Sequence, residues 1–259
     1  MKNITIKGFI FNHETHPKTA EFPLHYHPSY ELFIVVKGGT TLLVDDKLIS
    51  VNQKEIVLLR PDIVHKNVGE NQHDRYSIHI TNKYLLSHFS APLAKSLAEP
   101  FDNNKLTVTD SAFEAILDLL KRIEKNSRYA CIHTAEIITL LTDKRNLQTV
   151  NTDIQLKTTD NILEYIRKNY ASIAGLDDIA DHVHISKQYL CQRFKKETGV
   201  TVSDYLNSIR INNACEMLRR GKYNITQTAV LCGYNSAPYF CRVFKDIMHM
   251  TPKEYARSV

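Results

Sequence analysis

The sequence predicts an α+β protein of two domains: an N-terminal antiparallel β-barrel with appended helices, then an all-helical C-terminal domain. Three observations predict it. A chain of 259 residues fits two domains better than one. The spacing of apolar residues switches from alternation to the helical period near residue 83. And "SKQYLCQRFK", from Ser186 to Lys195, returns fifty positions later as "SAPYFCRVFK", from Ser236 to Lys245.

The strands come first. "ELFIVVKGG", "TTLLVDDKLISV" and "EIVLLRP" are short runs rich in Val, Ile and Leu, with "KGG", "VDDK" and "RPD" as turns. Several such runs with no helical pattern between them indicate a small antiparallel sandwich or barrel. The opening "MKNITIKGFIF" reads as a strand and not as a signal peptide. The helical period then takes over. "KYLLSHFSAPLAKSLAEP" spaces apolar residues three and four apart. "DSAFEAILDLLKRIEKN" is predicted to be capped by Asp110 or Ser111 and to carry one stripe of Phe113, Ile116, Leu117, Leu120 and Ile123. Helices over about 83–145 are expected to cover the barrel or to pair two copies of the chain. The first domain is thus residues 1–145, with 146–156 a polar linker. Residues 157–259 read as seven helices joined by short turns.

Charge separates the halves. Residues 1–156 hold 18 Lys+Arg and 18 Asp+Glu, so the whole excess of +5 lies in 157–259, with 15 against 10. A basic domain beside a neutral one points to a polyanion partner for one half. No apolar run approaches the roughly 20 residues of a membrane span. The five cysteines form no CxxC pair, which predicts reduced thiols in a cytoplasm rather than a disulfide frame. No Walker loop, GxSxG or GxGxxG supports nucleotide or hydrolase chemistry.

The repeat runs beyond ten residues. Ala180 and Ala229 lie 49 apart. After one inserted residue, Ser186/Ser236, Tyr189/Tyr239, Cys191/Cys241, Phe194/Phe244, Thr201/Thr251 and Tyr205/Tyr255 keep an offset of 50. A short helix with a small buried residue, a tight turn and a serine-capped second helix is the pattern of a helix-turn-helix. Leu190 and Phe194, and Phe240 and Phe244, are expected to face the core. The opposite faces then offer Lys187, Gln188, Cys191, Gln192 and Lys195 in one unit, and Ser236, Ala237, Pro238, Cys241, Arg242 and Lys245 in the other. Gln pairs bidentately with adenine and Arg with guanine, while lysines suit phosphates. The long helix between the units, with Tyr205, Leu206, Ile209, Ala214, Met217 and Leu218 as clamps, spans close to 30 Å. Two recognition helices held so can enter successive major grooves, one B-DNA turn of about 34 Å apart.

These residues resemble the AraC/XylS transcriptional regulators, on "FKKETG", "R…A…L", "A…CGY", "YFCRVFK" and "TPKEY" within residues 157–259. The resemblance implies a seven-helix DNA-binding domain with base contacts from both serine-started helices. It also implies promoter DNA and RNA polymerase as partners, a homodimer, and a sensor domain for a small-molecule effector, often a sugar. Ala237 and Pro238 stand where many members carry polar residues, and Ala256 where arginine is usual.

In the first half, "HYHPSYELFIVVKG" supplies His25, His27 and Glu31, and "RPDIVHKN" adds His65. His25 and His27 share one face of a strand. The spacing resembles the metal motif of cupin barrels, and this donor set suits Fe, Mn, Ni or Zn. The stretch lacks the motif's glycines, at Thr19 and within "PDIVH". The expected reading is therefore an effector pocket at His25, His27, Glu31 and His65, with no resident metal or cofactor and no enzyme activity. A cupin metalloenzyme carrying a DNA-binding tail is the rival.

Overall fold

A computed structural model describes residues 2–16, 23–69, 71–102, 105–148 and 157–258. The N-terminal half contains strands β1 (Lys2–Ile6), β2 (Phe9–His16), β3 (Ser29–Lys37), β4 (Gly39–Val44), β5 (Lys47–Asn52), β6 (Glu55–Leu59), β7 (His65–Asn67) and β8 (His73–Thr81). Helices α1 (Asn82–His88) and α2 (Ala91–Ala98) follow. Then come β9 (Lys105–Val108), α3 (Asp110–Lys125), α4 (Ala130–Thr142) and the two-residue β10 (Leu147–Gln148). The three expected turns fall where "KGG", "VDDK" and "RPD" stand. Gly38, Asp45 and Asp62 take left-handed backbone in them.

The strands form an antiparallel seven-stranded sheet in the order β1-β2-β8-β3-β6-β9-β10 and a three-stranded sheet in the order β5-β4-β7. Among the described residues no ladder joins the two sheets, so the barrel is open and sandwich-like. Alternation gives the large sheet two unlike faces. Leu32, Ile34, Ile56, Leu58, Tyr76, Ile78 and Ile80 pack beneath the helices. Phe33, Val35, Val57 and Leu59 meet Leu42, Val44 and Val51 of the small sheet.

Three expectations change here. The stretch from Lys83 to Pro100 is not one helix. It breaks at Phe89 and Ser90, and Pro92 sits in the first turn of α2, where its missing N–H costs nothing. The cap of α3 is Thr109, whose hydroxyl accepts from the Ala112 N–H at 3.3 Å, and not Asp110 or Ser111. The α3 stripe is not an exposed pairing face. Phe113, Ile116, Leu120 and Ile123 are buried against α4 and the large sheet, Leu120 at 0% exposure, and Leu117 is half-buried. One apolar stripe cannot cover the sheet and also pair two copies.

The C-terminal half has the seven expected helices: α5 (Lys157–Asn169), α6 (Leu176–His182), α7 (Lys187–Thr198), α8 (Val202–Arg219), α9 (Ile225–Leu231), α10 (Ala237–Met248) and α11 (Pro252–Ser258). They build two cores. Ile162, Ile179, Leu190, Phe194, Tyr205 and Ile209 form the first. Ile211, Ala214, Leu218, Ala229, Phe240 and Phe244 form the second. Helix α8 contributes to both, so it is buried on nearly every side. Leu43 of the small sheet and Val64, just before β7, join the first core. The two halves of the chain therefore share packed surface. Most of the expected linker, residues 149–156, lies outside the described residues.

Candidate functional site

Two sites take shape, one in each half. In the helical half, α6–α7 and α9–α10 are the two repeats. Ala180 and Ala229 are buried at the helix crossings. Each turn is closed in the same way: Ile185 N–H donates to Ala180 O at 3.1 Å, and Tyr234 N–H to Ala229 O at 2.9 Å. The left-handed residue that this turn requires is His184 in one unit and Gly233 in the other. Asn235 is the inserted residue. Past the second helices the pair recurs in reverse, with Gly199 after α7 and His249 after α10, both left-handed. Ser186 and Ser236 cap their helices through Tyr189 N–H at 3.2 Å and Tyr239 N–H at 3.4 Å.

With Leu190, Phe194, Phe240 and Phe244 fully buried, the outer faces fall where expected. Lys187, Gln188, Gln192, Lys195, Pro238, Arg242 and Lys245 are exposed, and Cys191, Ala237 and Cys241 are half-buried. Lys187 is held by Asp177 at 2.9 Å. Sequence reasoning missed the tyrosines. Tyr189 and Tyr239 are 46% and 43% exposed, and each lies under a guanidinium, Arg193 at 5.9 Å and Arg242 at 5.1 Å. The signal was present, because both occupy matching places in the repeat.

In the first half, His25 bridges to His65 in an antiparallel pair. His27 Nε2 lies 3.0 Å and His65 Nε2 3.1 Å from the same Glu31 oxygen. All four sequence-predicted residues therefore converge. The structure adds His79, across from Glu31 in the β3–β8 register and 3.8 Å from its other oxygen. Its signal was the alternation of His73, Arg75, Ser77 and His79 along β8, which sets a polar row inside the sandwich.

The tautomers are fixed from behind. His25 Nδ1 donates to Pro23 O at 3.0 Å, His27 Nδ1 to Ser29 O at 3.0 Å and His65 Nδ1 to Ile63 O at 2.9 Å. A carbonyl only accepts, so each Nδ1 carries a proton and each Nε2 points inward, an acceptor in the neutral ring and a donor once the ring is protonated. Two such nitrogens facing one carboxylate oxygen need a proton or a cation between them. His65 Nε2 is buried without an aligned hydrogen bond. The nitrogens of His25, His27 and His65 lie within 4.8 Å of one another, as do the ligand atoms of His27, Glu31 and His79. Either trio could hold a divalent ion.

Burial penalises the charged form of His27, but the hydrogen bond and charge of Glu31 outweigh it and raise the pKa. Burial pushes the Glu31 carboxyl up, yet the charge of His79 and the neighbouring His27 and His65 rings hold it well below the usual range. Burial first, and then the His65 ring, pull His25 down to about 4. Burial likewise takes His16 to about 4 and lowers His73 and His79.

These directions predict a stability optimum near neutral pH. Three buried or half-buried histidines, His16, His73 and His79, stay neutral in the fold where the unfolded chain protonates, so stability is lost as pH falls below 6.5. Glu31 adds a loss below 4.5. The His27 contribution is complete below 6.5 and disappears as pH rises through its raised value. The expected thermal midpoint at pH 5 is about 5 °C or more below that at pH 7. A midpoint flat across this range would contradict the buried, neutral rings.

Comparison with known proteins agrees with this division. The helix-turn-helix domain family matches residues 179–258, and the cupin domain family matches residues 12–75. The transcriptional activator RhaS of Shigella dysenteriae is 23% identical over 255 residues, covering 91% of this chain and 87% of that protein. The transcriptional activator RhaR of Pectobacterium atrosepticum is 24% identical over 266 residues, covering 97% and 92%. The crystal structure of ToxT from Vibrio cholerae aligns over 97% of this chain and 98% of its own, at 17% identity and a TM-score of 0.38. No helix among the described residues is long and apolar enough to cross a membrane. A cupin-type sandwich followed by two helix-turn-helix units, matched over nine-tenths of its length by transcriptional activators, makes this chain a member of the AraC/XylS family of transcriptional regulators.

Proposed function

We propose that α7 and α10 read promoter DNA while His25, His27, Glu31, His65 and His79 hold a small polyhydroxylated effector, a sugar or related polyol. One observation carries the DNA reading. The two repeats present equivalent exposed faces, through Gln192 and Arg242, in the half of the chain that holds all the net charge. The phosphate contacts are those of Lys195 and Lys245. Ser236 acts as a cap, and Ala237 and Pro238 give α10 a smooth apolar start. The effector reading rests on the tautomers: with each Nδ1 tied back to a carbonyl, the three imidazoles turn Nε2 inward beside the Glu31 carboxylate, as polar partners for hydroxyl groups. An effector favours one arrangement of the domains to the extent that it binds that arrangement better. RNA polymerase and a second copy of the chain complete the proposed assembly, in the cytoplasm. The outward apolar side chains available for pairing on the helical layer include Leu86, Leu93 and Ile132.

Thermal scans against a panel of sugars and polyols test the effector. A ligand at a hundred times its Kd stabilises by about 2.7 kcal/mol. The resulting rise in midpoint is expected in the wild type and absent in His27→Ala. Metal analysis runs alongside. Stoichiometric metal in the purified protein, lost in His27→Ala, would replace the polyol by a metal ion and favour the metalloenzyme.

A further inference from the structure

The sensor half touches both cores of the helical half, and it does so at separate places. On the first unit, the β4–β5 turn and β7 make the contact. Tyr205 OH donates to Asp45 O, Arg167 pairs with Asp46, and Lys66 Nζ donates to Gly199 O at 2.6 Å. Beside the second unit, Asp62 pairs with Arg219 at the end of the shared helix α8 at 2.9 Å, and the same guanidinium donates to Tyr255 OH of α11 at 3.0 Å.

Between these places runs the segment of residues 23–27. Tyr26 packs against both helical cores, and its hydroxyl lies 3.4 Å from Cys215 Sγ of α8. Cys215 in turn contacts Met248 Sδ, at the end of α10, at 3.8 Å. Leu24 reaches the cleft between the units, which holds about 500 Å³ and is lined by Val200 on one side and by Tyr239, Arg242 and Ile247 on the other. One short sensor segment therefore bears on the first unit, on the shared helix and on the second recognition helix.

We propose that Leu24, Tyr26 and Asp62 form a bracket that fixes the relative placement of α7 and α10, so that the sensor half determines which half-site spacing the protein accepts. The proposal rests on the DNA reading above and goes beyond it. Helix α8 sets the coarse separation, and the bracket removes the remaining freedom to twist and splay. His25 and His27 alternate with Tyr26 along the same segment, so the imidazole cluster and the bracket are opposite faces of one stretch of chain.

The test uses the full-length protein. Selection from random duplex DNA supplies its preferred site. Duplexes with one base pair added or removed between the half-sites then probe spacing. Each base pair turns a half-site by roughly 35° and shifts it by about 3.4 Å. A rigid pair should discriminate against these duplexes by about 30-fold or more, as two mismatched contacts would. The expected result is that Leu24→Ser/Tyr26→Ala discriminates by about fivefold or less while losing no more than about fivefold on the preferred site. Asp62→Gly keeps the left-handed backbone and removes only the Arg219 pair. It is expected to fall between the two, and it serves if the double variant melts too early to assay. Unchanged spacing preference in both variants, with DNA binding intact, would overturn the bracket and leave α8 as the sole ruler. A uniform gain at every spacing would make the contact a brake, and would overturn it too. Failure of the wild type to select any DNA would instead remove the DNA reading itself.

Discussion

Arg210→Ala is expected to cost the helical domain about 3–5 kcal/mol, because each hydrogen bond from a buried charged group is worth about 1.5–3 kcal/mol. Arg210 is 8% exposed. Its Nε donates to Tyr170 O at 2.9 Å and an Nη to Ile173 O at 2.6 Å. Among the described residues no carboxylate pairs with it. The guanidinium instead rests against carbonyls just past the C-terminal end of α5, where the helix dipole favours a cation, and lies 5.3 Å over the ring of Tyr234. Burial lowers its pKa and the tyrosine neighbours oppose that. The side chain thus joins the end of α5 in the first unit to the turn of the second. Alanine leaves two carbonyls unpaired and opens a cavity beside Tyr234. Lysine keeps the charge but cannot fork to both carbonyls, so Arg210→Lys should recover about half of the loss. For a domain of about a hundred residues the Ala variant should melt 10 °C or more below the wild type. A loss under about 1 kcal/mol in urea titration, with an unchanged slope, would show that solvent replaces the guanidinium without difficulty.

The sequence offered Arg210 only as the arginine of "R…A…L", with no partner for it, and the reason is physical. Helix α8 is buried by Tyr205, Ile209, Ile211, Ala214 and Leu218 on different sides, so no single stripe separates inside from outside, and a lone arginine there reads as surface. Where one face is wet, the reading held. The 50-residue offset located both serine-capped helices, α7 and α10, to within a residue, because the buried Leu190, Phe194, Phe240 and Phe244 leave only one face for the rest. The α3 stripe was legible as a stripe, but not what it packs on. Amphipathicity says that a face is covered, and the covering element comes from topology. His79 was missed for a related reason: it joins Glu31 through strand register, and register is not written in a single strand. The contacts of Tyr26, Asp62 and Lys66 with the helical half are longer-range still. Each is one polar or aromatic residue in a short segment, and only the docked domains give it a partner.

Gln192→Ala and Arg242→Ala are each expected to weaken operator binding about five- to 150-fold, the equivalent of about 1–3 kcal/mol for a bidentate base contact. The two residues sit at offset 50, each two before a buried phenylalanine, and both are exposed. Neither supports the fold, so thermal midpoints should stay within about 2 °C of the wild type. Specificity should relax at one position in each half-site, and the two positions should lie near 10 base pairs apart. The 18 residues of α8 span about 27 Å, and the second helices it carries extend that reach toward a full turn. The two variants should still differ. Arg242 stacks on Tyr239 and must keep or release that contact to reach a base. In the first unit the stacked partner of Tyr189 is Arg193, which leaves Gln192 unencumbered. Tyr239→Ala should therefore weaken binding through Arg242, whereas Tyr189→Ala should leave the Gln192 contact in place. Lys195→Ala and Lys245→Ala belong to another class. They should weaken all sequences alike and reduce the salt dependence by about one unit each. Footprints and salt titrations on the selected site separate these outcomes. Protection confined to one major groove, or unaltered specificity in both Gln192→Ala and Arg242→Ala, would mean that α10 braces α7 and reads nothing itself.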